Sequence, residues 1–341
     1  MPTLVLSDLH LGARLRHDVL THPEPLHRLL ESLEGIERLV LLGDVIELLE
    51  QRADRALDIA EPVLRLLGRT LGGEREVIFV PGNHDAGLVR AWVRRIGDEL
   101  APDTAVPLDA TPQLRRVTSW LSPARVRVHY PGVWLSPGAW ATHGHYLDRH
   151  LLPESAFGVT RGLLGRRPRV VASPMDYERA GEPTLTRIEA LLIKALPRPL
   201  AALVEDAAEL ARASTMPRAP RRLLRPRLAR FNATLLGTQM RRASIPALSH
   251  VVRRLGVDAD WVVFGHVHRL GPLPGDVEAR WRAPQGNPRV ANTGSWVYEP
   301  LLVHNATPPH PYWPGGAVIL ENGRDPRAVS LLDGVDAAAM H

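Results

Sequence analysis

The sequence predicts an α/β protein of two β-sheets flanked by helices, with a helical segment inserted into the chain that builds them. Three observations predict it. Short apolar runs alternate with helical periodicity over the first hundred residues, strand-like runs return over the last ninety, and the stretch between is rich in Ala, Leu and Arg. Leu4 to Leu6 is the first run, and Pro25 to Leu33 carries apolar residues at helical spacing. Leu39 to Leu42 is the second, followed by a helical stretch from Asp54 to Leu71. Val77 to Val80 is the third, followed by a helical pattern from Ala86 to Leu100. Strand–helix–strand alternation with short connectors implies βαβ units and a largely parallel sheet. From Pro102 to Trp140 the helical pattern fades; Val126, Val128, Tyr130 and Val133 to Leu135 read as strands separated by Pro-Gly turns. Trp261 to Phe264, Val290 to Asn292, Ala317 to Leu320 and Ala328 to Leu331 are divided by Gly, Pro and Asn clusters and suggest a second sheet packed on the first. Glu321 to Arg324 reads as a hairpin turn.

Composition narrows the chemistry. The chain has 341 residues, 45% hydrophobic and 23% charged, which suits a folded core and excludes a mainly disordered chain. Cysteine is absent, so disulfides, thiolate zinc sites, iron–sulfur clusters and a cysteine nucleophile are excluded together. Any metal is left to imidazole, carboxylate or amide groups, and fifteen histidines are present. The first strand begins almost at Met1 with no basic leader, and no run of eighteen uncharged apolar residues occurs; the expectation is a soluble, cytoplasmic protein. Lys194 is the only lysine, and the net charge of +5 is unevenly spread. Residues 151–250 hold 17 Lys+Arg against 8 Asp+Glu, and 211–242 hold nine arginines and no acid. Ile188 to Leu196 and Leu200 to Leu210 have helical periodicity, whereas Pro217 to Arg227 reads as a loop. The predicted organisation is therefore a core of residues 1–145 and 251–341 with an Arg-rich helical cap at 146–250.

Polar residues follow the apolar runs in a repeating way. The first ends in Ser7-Asp8-Leu9-His10, the second in Gly43-Asp44-Val45-Ile46-Glu47, and the third in Pro81-Gly82-Asn83-His84-Asp85. A later strand ends in Thr142-His143-Gly144-His145, and Trp261 to Phe264 leads into Gly265-His266-Val267-His268. Ligands of open α/β sheets bind beyond the carboxyl ends of the strands, so the five clusters should converge. Asp, Asn and His supply oxygen and neutral nitrogen donors that suit divalent Mn, Fe, Zn or Co. Asp-x-His and His-x-His at a strand end set two side chains on one face. Asp8, His10, Asp44, Asn83, His143, His266 and His268 are too many donors for one ion. They fit two ions about 3.5–4 Å apart sharing a carboxylate, an arrangement used for in-line displacement at phosphorus.

Asp-x-His, Gly-Asp-x-x-Glu, Gly-Asn-His-Asp, a lone His before Gly and Gly-His-x-His together resemble the calcineurin-like metallophosphoesterase family over about residues 3–145 and 255–335. The resemblance implies a two-sheet metallophosphoesterase sandwich and two divalent metal ions, manganese first, with iron and zinc as alternatives. It implies one ion on Asp8, His10, Asp44 and His268, and a second on Asp44, Asn83, His143 and His266. The reaction implied is in-line attack of a hydroxide held by the two ions on a phosphoester. His84 is then the group beside the leaving oxygen, with Asp85 orienting its ring. Glu47 stands where the family has an acidic residue, in a helix-start, supporting or direct role. His145 either contacts phosphate or fixes the turn. Arg14 either contacts substrate or lies on a solvated surface. Asn292-Thr293-Gly294-Ser295 resembles a family segment that is mainly structural.

The position of the insertion is similar to that in bacterial UDP-2,3-diacylglucosamine pyrophosphatases, where the insert is a lid for acyl chains. This chain departs from them at His84, where that subfamily commonly has Arg; a retained imidazole fits an alkoxide leaving group, hence a monoester or diester. Three readings of the Arg-rich stretch stay open. It docks on an anionic membrane surface and presents a phospholipid-like or nucleotide-sugar lipid substrate, which would place the protein on the inner membrane face. It grips nucleic acid, as in a nuclease or nucleotide phosphodiesterase, although Phe157, Tyr177 and Phe231 are the only aromatics there. Or it caps a soluble phosphatase. A scaffold or binding protein on the same fold is the non-enzymatic alternative.

Overall fold

Eleven strands in two sheets carry the described part of the chain. The computed structural model describes residues 1–13, 17–50, 52–151, 173–180, 243–303, 306–321 and 323–340. In chain order the strands are β1 (Thr3–Leu6), β2 (Arg38–Leu42), β3 (Glu76–Val80), β4 (Thr104–Val106), β5 (Arg125–Tyr130), β6 (Gly132–Ser136), β7 (Ala139–Thr142), β8 (Trp261–Phe264), β9 (Arg289–Asn292), β10 (Gly316–Leu320) and β11 (Arg327–Ser330). The seven-stranded sheet has the order β11-β10-β1-β2-β3-β5-β4, and the four-stranded sheet β6-β7-β8-β9. β1, β2, β3 and β5 run parallel, as do β7, β8 and β9. β10, β11, β4 and β6 pair antiparallel at the margins.

Strand alternation sorts the core into layers. Val5, Val40, Leu42, Ile78 and Val80 of the first sheet meet Val133, Leu135, Ala141, Val263 and Ala291 of the second, forming the seam between sheets. The intervening Leu4, Leu6, Leu39, Leu41, Val77 and Phe79 turn the other way, under helices α1 (Pro23–Ser32), α2 (Ala53–Leu71) and α4 (Pro112–Trp120). On the far face of the second sheet, Trp140, Val262, Phe264 and Val290 pack with Leu248, Val251 and Val252 of the helix Ile245–Arg254. Tyr146 and Leu147 join that layer, so the stretch assigned to the insertion enters and leaves through residues packed on the core. Within it, the helix Pro174–Ala180 is described. The periodic stretches at 188–196 and 200–210, the tract at 217–227 and Arg14 lie outside the described residues.

Several elements depart from the sequence expectation. The strands at 317–320 and 328–331, expected in the second sheet, extend the first instead, because β10 pairs antiparallel with β1 and carries β11 beyond it. The helical pattern over 86–100 is broken into the 3-10 turn Ala86–Leu88, helix α3 (Arg90–Ile96) and the 3-10 turn Gly97–Glu99. Gly97 ends α3 with φ +59°, a conformation glycine adopts without a Cβ penalty. Helix α4 falls where the helical pattern faded, in a short segment defined by its start: Pro112 sits in its first turn and Thr111 Oγ1 accepts from Leu114 N at 3.1 Å.

Candidate metal centre

The carboxyl ends of β1, β2 and β3 in one sheet and β7 and β8 in the other open on a common pocket, and each delivers one polar turn. The turn after β1 is held to the turn after β2 by Asp8 N–H donating to Gly43 O at 3.0 Å and His10 N–H to Asp44 O at 2.8 Å. It is held to the turn after β8 by His266 N–H donating to Asp8 Oδ2 at 2.9 Å. These approaches are close enough to exclude side chains. A Cβ on Gly82 would lie 2.7 Å from His143 Cδ2 and from Asp44 N.

Among the described residues, the non-glycine residues with positive φ are Asp8 (55°), His10 (44°), Asp44 (51°), His266 (68°) and His268 (54°). Left-handed backbone costs an ordinary residue of order 1–3 kcal/mol and persists where surrounding contacts over-determine it, characteristically at functional sites. All five were singled out from sequence as ligands. Strain here marks the pocket without reference to any motif.

The side chains form two groups that share an edge. Asp8, His10 and His268 offer ligand atoms within 4.8 Å of one another, as do Asp44, His143 and His266. Asp44 Oδ2 lies between the groups, 3.9 Å from His10 Nε2 and 3.0 Å from His143 Nε2. Asn83 Oδ1 is 3.2 Å from His143 Nε2. Asp8 Oδ1, 3.9 Å from His10 Nε2 and 3.3 Å from His268 Nε2, has no hydrogen-bond partner, and His10 Nε2 has none either. A buried carboxylate oxygen and a buried imidazole nitrogen left side by side without a hydrogen bond are costly, unless a cation completes them. The donors are oxygens and imidazole nitrogens, so the pocket fits a pair of divalent ions.

His84 and Glu47 form the next group. Glu47 Oε2 accepts from His10 Nδ1 at 2.8 Å and from His84 Nδ1 at 2.5 Å. Its other oxygen accepts from Leu49 N and Glu50 N at 2.9 and 3.0 Å. Glu47 therefore fixes its own turn and holds two imidazoles, a supporting arrangement, and no helix starts at it. Asp85 does not have the role expected for it. Asp85 Oδ2 accepts from Val45 N at 2.8 Å and Ile46 N at 3.4 Å, and Oδ1 from Gly82 N at 2.6 Å. Buried backbone N–H groups at the turns require an acceptor, and Asp85 supplies it, while Glu47 orients the His84 ring.

The electrostatics follow from this crowding. Burial alone would raise Asp8, but His143 and His268 bring its carboxyl down to about 2. Burial likewise opposes ionisation of Asp44 and Glu47, and the surrounding histidines carry both below their ordinary range. Burial works against the charged form of His84, but Glu47 and Asp44 raise it well above the usual imidazole value. His143 is raised to about 9 by Asp44 and Asp8 against its own burial. Asp85 is pushed up to about 6 by burial and by Asp44.

His145 lies beside the second group, its ring 5.6 Å from His143 and 4.7 Å from Tyr146, with Nδ1 buried and unpaired. Burial and the neighbouring His143 hold it well below the ordinary imidazole range. Asn292 acts structurally: its Nδ2 donates to Gly265 O at 2.8 Å and its Oδ1 accepts from Gly294 N at 2.9 Å. Asp148, which sequence reasoning missed, brings both carboxylate oxygens within 3.0 Å of His266 Nε2. Its available signal was an acid one turn beyond His143-Gly144-His145.

Residues 1–154 match a family model described as calcineurin-like phosphoesterase. No curated protein matches the chain. Among solved structures, a mutant cold-active protein tyrosine phosphatase is 16% identical, over 98% of this chain and 78% of its own, with a TM-score of 0.33, too low to carry an argument. Residues 1–154, less than half of the chain, are thus similar to calcineurin-like phosphoesterases, and with the candidate ligand groups at the strand ends of this mixed α/β fold the match supports a phosphoric ester hydrolase.

Proposed function

We propose that the chain is a metal-dependent hydrolase of phosphoesters with alkoxide leaving groups. The observation that carries this reading is the Asp44 carboxylate set between two ligand groups, one of which keeps Asp8 Oδ1 and His10 Nε2 buried without a hydrogen bond. Asp8, His10, Asp44 and His268 would hold one divalent ion, and Asp44, Asn83, His143 and His266 the other. Manganese is the ion proposed, with iron and zinc served by the same donors. When bound, such a pair lowers the pKa of a coordinated water and neutralises charge developing on phosphoryl oxygens. Glu47 accepts from His84 Nδ1, so His84 Nε2 is the atom that delivers a proton to the departing oxygen. Replacing His84 by Ala should keep both ions while cutting alkyl-ester hydrolysis about 10²–10⁴-fold, and nitrophenyl-ester hydrolysis far less. Equal losses on both substrates would remove His84 from that role.

The substrate proposed is phospholipid-like and presented at an anionic membrane surface, on the inner face in a cytoplasmic setting. The positive surplus of residues 151–250 supports this. Among the described residues no helix is long and apolar enough to cross a membrane. Phosphorus NMR of cell extract treated with manganese-loaded protein tests the point, with Asp44→Ala as control. Loss of a resonance from the lipid fraction supports it; change confined to the aqueous fraction overturns it and favours a soluble phosphatase or nucleotide phosphodiesterase.

A further inference from the structure

Two histidines of the pocket are visibly held from behind, so that one ring nitrogen is committed and the other faces the ligand groups. His10 Nδ1 donates to Glu47 Oε2 at 2.8 Å, and His143 Nδ1 donates to the Leu42 carbonyl at 3.0 Å. His266 repeats the pattern with the nitrogens exchanged. Its Nε2 lies 3.0 Å from Oδ1 and 3.0 Å from Oδ2 of Asp148. A carboxylate only accepts, so this contact keeps the ring proton on Nε2 and leaves the Nδ1 lone pair for a cation. The backbone of His266 is fixed separately, by its N–H on Asp8 Oδ2 and its left-handed φ.

Asp148 belongs to none of the five strand-end motifs. It opens the short helix Asp148–Leu151 directly after the 3-10 turn His145–Leu147, where the chain leaves the core for the Arg-rich stretch. That turn is anchored. Tyr146 OH and Tyr130 OH both donate to Glu178 Oε1, at 2.6 and 2.5 Å, and the Tyr146 ring stacks on Tyr177 at 4.5 Å. Glu178 and Tyr177 lie on the helix Pro174–Ala180. The Asp148 side chain is 24% exposed and its two oxygens face one ring nitrogen, so the contact orients the ring.

We propose that Asp148 is a positioning residue for the metal centre: it fixes the tautomer and ring orientation of His266 so that Nδ1 serves the ion shared with Asp44 and His143. This rests on the two-ion reading above. Carboxylates and carbonyls placed behind ligating histidines typically change metal affinity 10–100-fold when removed. The segment that opens the insertion thus completes the pocket as well as bordering it.

The test is titration of the metal-free full chain with Mn²⁺ alone, following the electron paramagnetic resonance signal of free ion. Wild type is expected to take up two equivalents. Asp148→Ala should weaken one equivalent about 10–100-fold and leave the other unchanged. The melting temperature of the metal-free variant should stay within a few degrees of wild type. Asp148→Asn keeps an oxygen acceptor at the same reach and should recover most of the lost affinity. Two unchanged equivalents in Asp148→Ala, equal weakening of both, or an Asn variant no better than Ala would each overturn the proposal. A wild-type chain that binds no Mn²⁺ overturns the metal-centre reading itself, a distinct outcome.

Discussion

Glu47 is the side chain on which most of the pocket's geometry turns. One oxygen holds two imidazoles and the other caps a turn. In Glu47→Gln only one amide oxygen accepts and the charge is gone, so the two imidazoles and the turn cannot all be served. Turnover of alkyl phosphoesters should fall about 10²-fold, with a smaller loss on nitrophenyl esters, in steady-state assays at saturating Mn²⁺. Asp85 calls for a different measurement. Replacing it by Ala strips the acceptor from Val45, Ile46 and Gly82, and a buried N–H left unpaired costs about 1–3 kcal/mol. The loss should appear in the urea midpoint of the metal-free protein. An unchanged midpoint with lost activity would return Asp85 to the catalytic group.

At the level of elements, the parallel strands set the pocket and the turns after them carry the chemistry. Gly82→Ala forces a methyl group against Asp44 and His143, and should abolish high-affinity Mn²⁺ uptake in the same titration. The strands β1, β2, β3 and β8 were legible because both faces are buried and their sequences read as continuous apolar runs. Helix α4 was not, because a nine-residue helix offers little periodicity and its signal is the Thr111-Pro112 start. The candidate ligand residues were legible because each follows a strand end closely. Asp148 was not, since it reaches His266 across 118 residues of sequence and only folding joins them. The Glu47–His84 pairing was likewise invisible: adjacent Asp85 is the obvious partner in sequence, but its oxygens go to the backbone.

On the scale of the whole molecule, the two sheets meet along a seam of small and medium apolar residues, and Ile78 lies in it fully buried. Ile78→Ala should cost about 2–5 kcal/mol, seen as a lower urea midpoint. Bound ions should act the other way. A ligand at a thousandfold excess over its Kd stabilises the folded state by about 4 kcal/mol. Mn²⁺ should therefore raise the calorimetric melting temperature of wild type, and not that of Asp44→Ala. The contact from Asp8 to His266 spans 258 residues, and it has a consequence for synthesis. A nascent chain presents Asp8, His10, Asp44, Asn83 and His143 long before Gly265 to His268 have been made. An ion arriving at that stage would meet five of the seven proposed donors. On the proposed two-ion reading, metal loading belongs after translation of β8, and a ribosome stalled upstream of it releases a chain that no supply of divalent ion can complete.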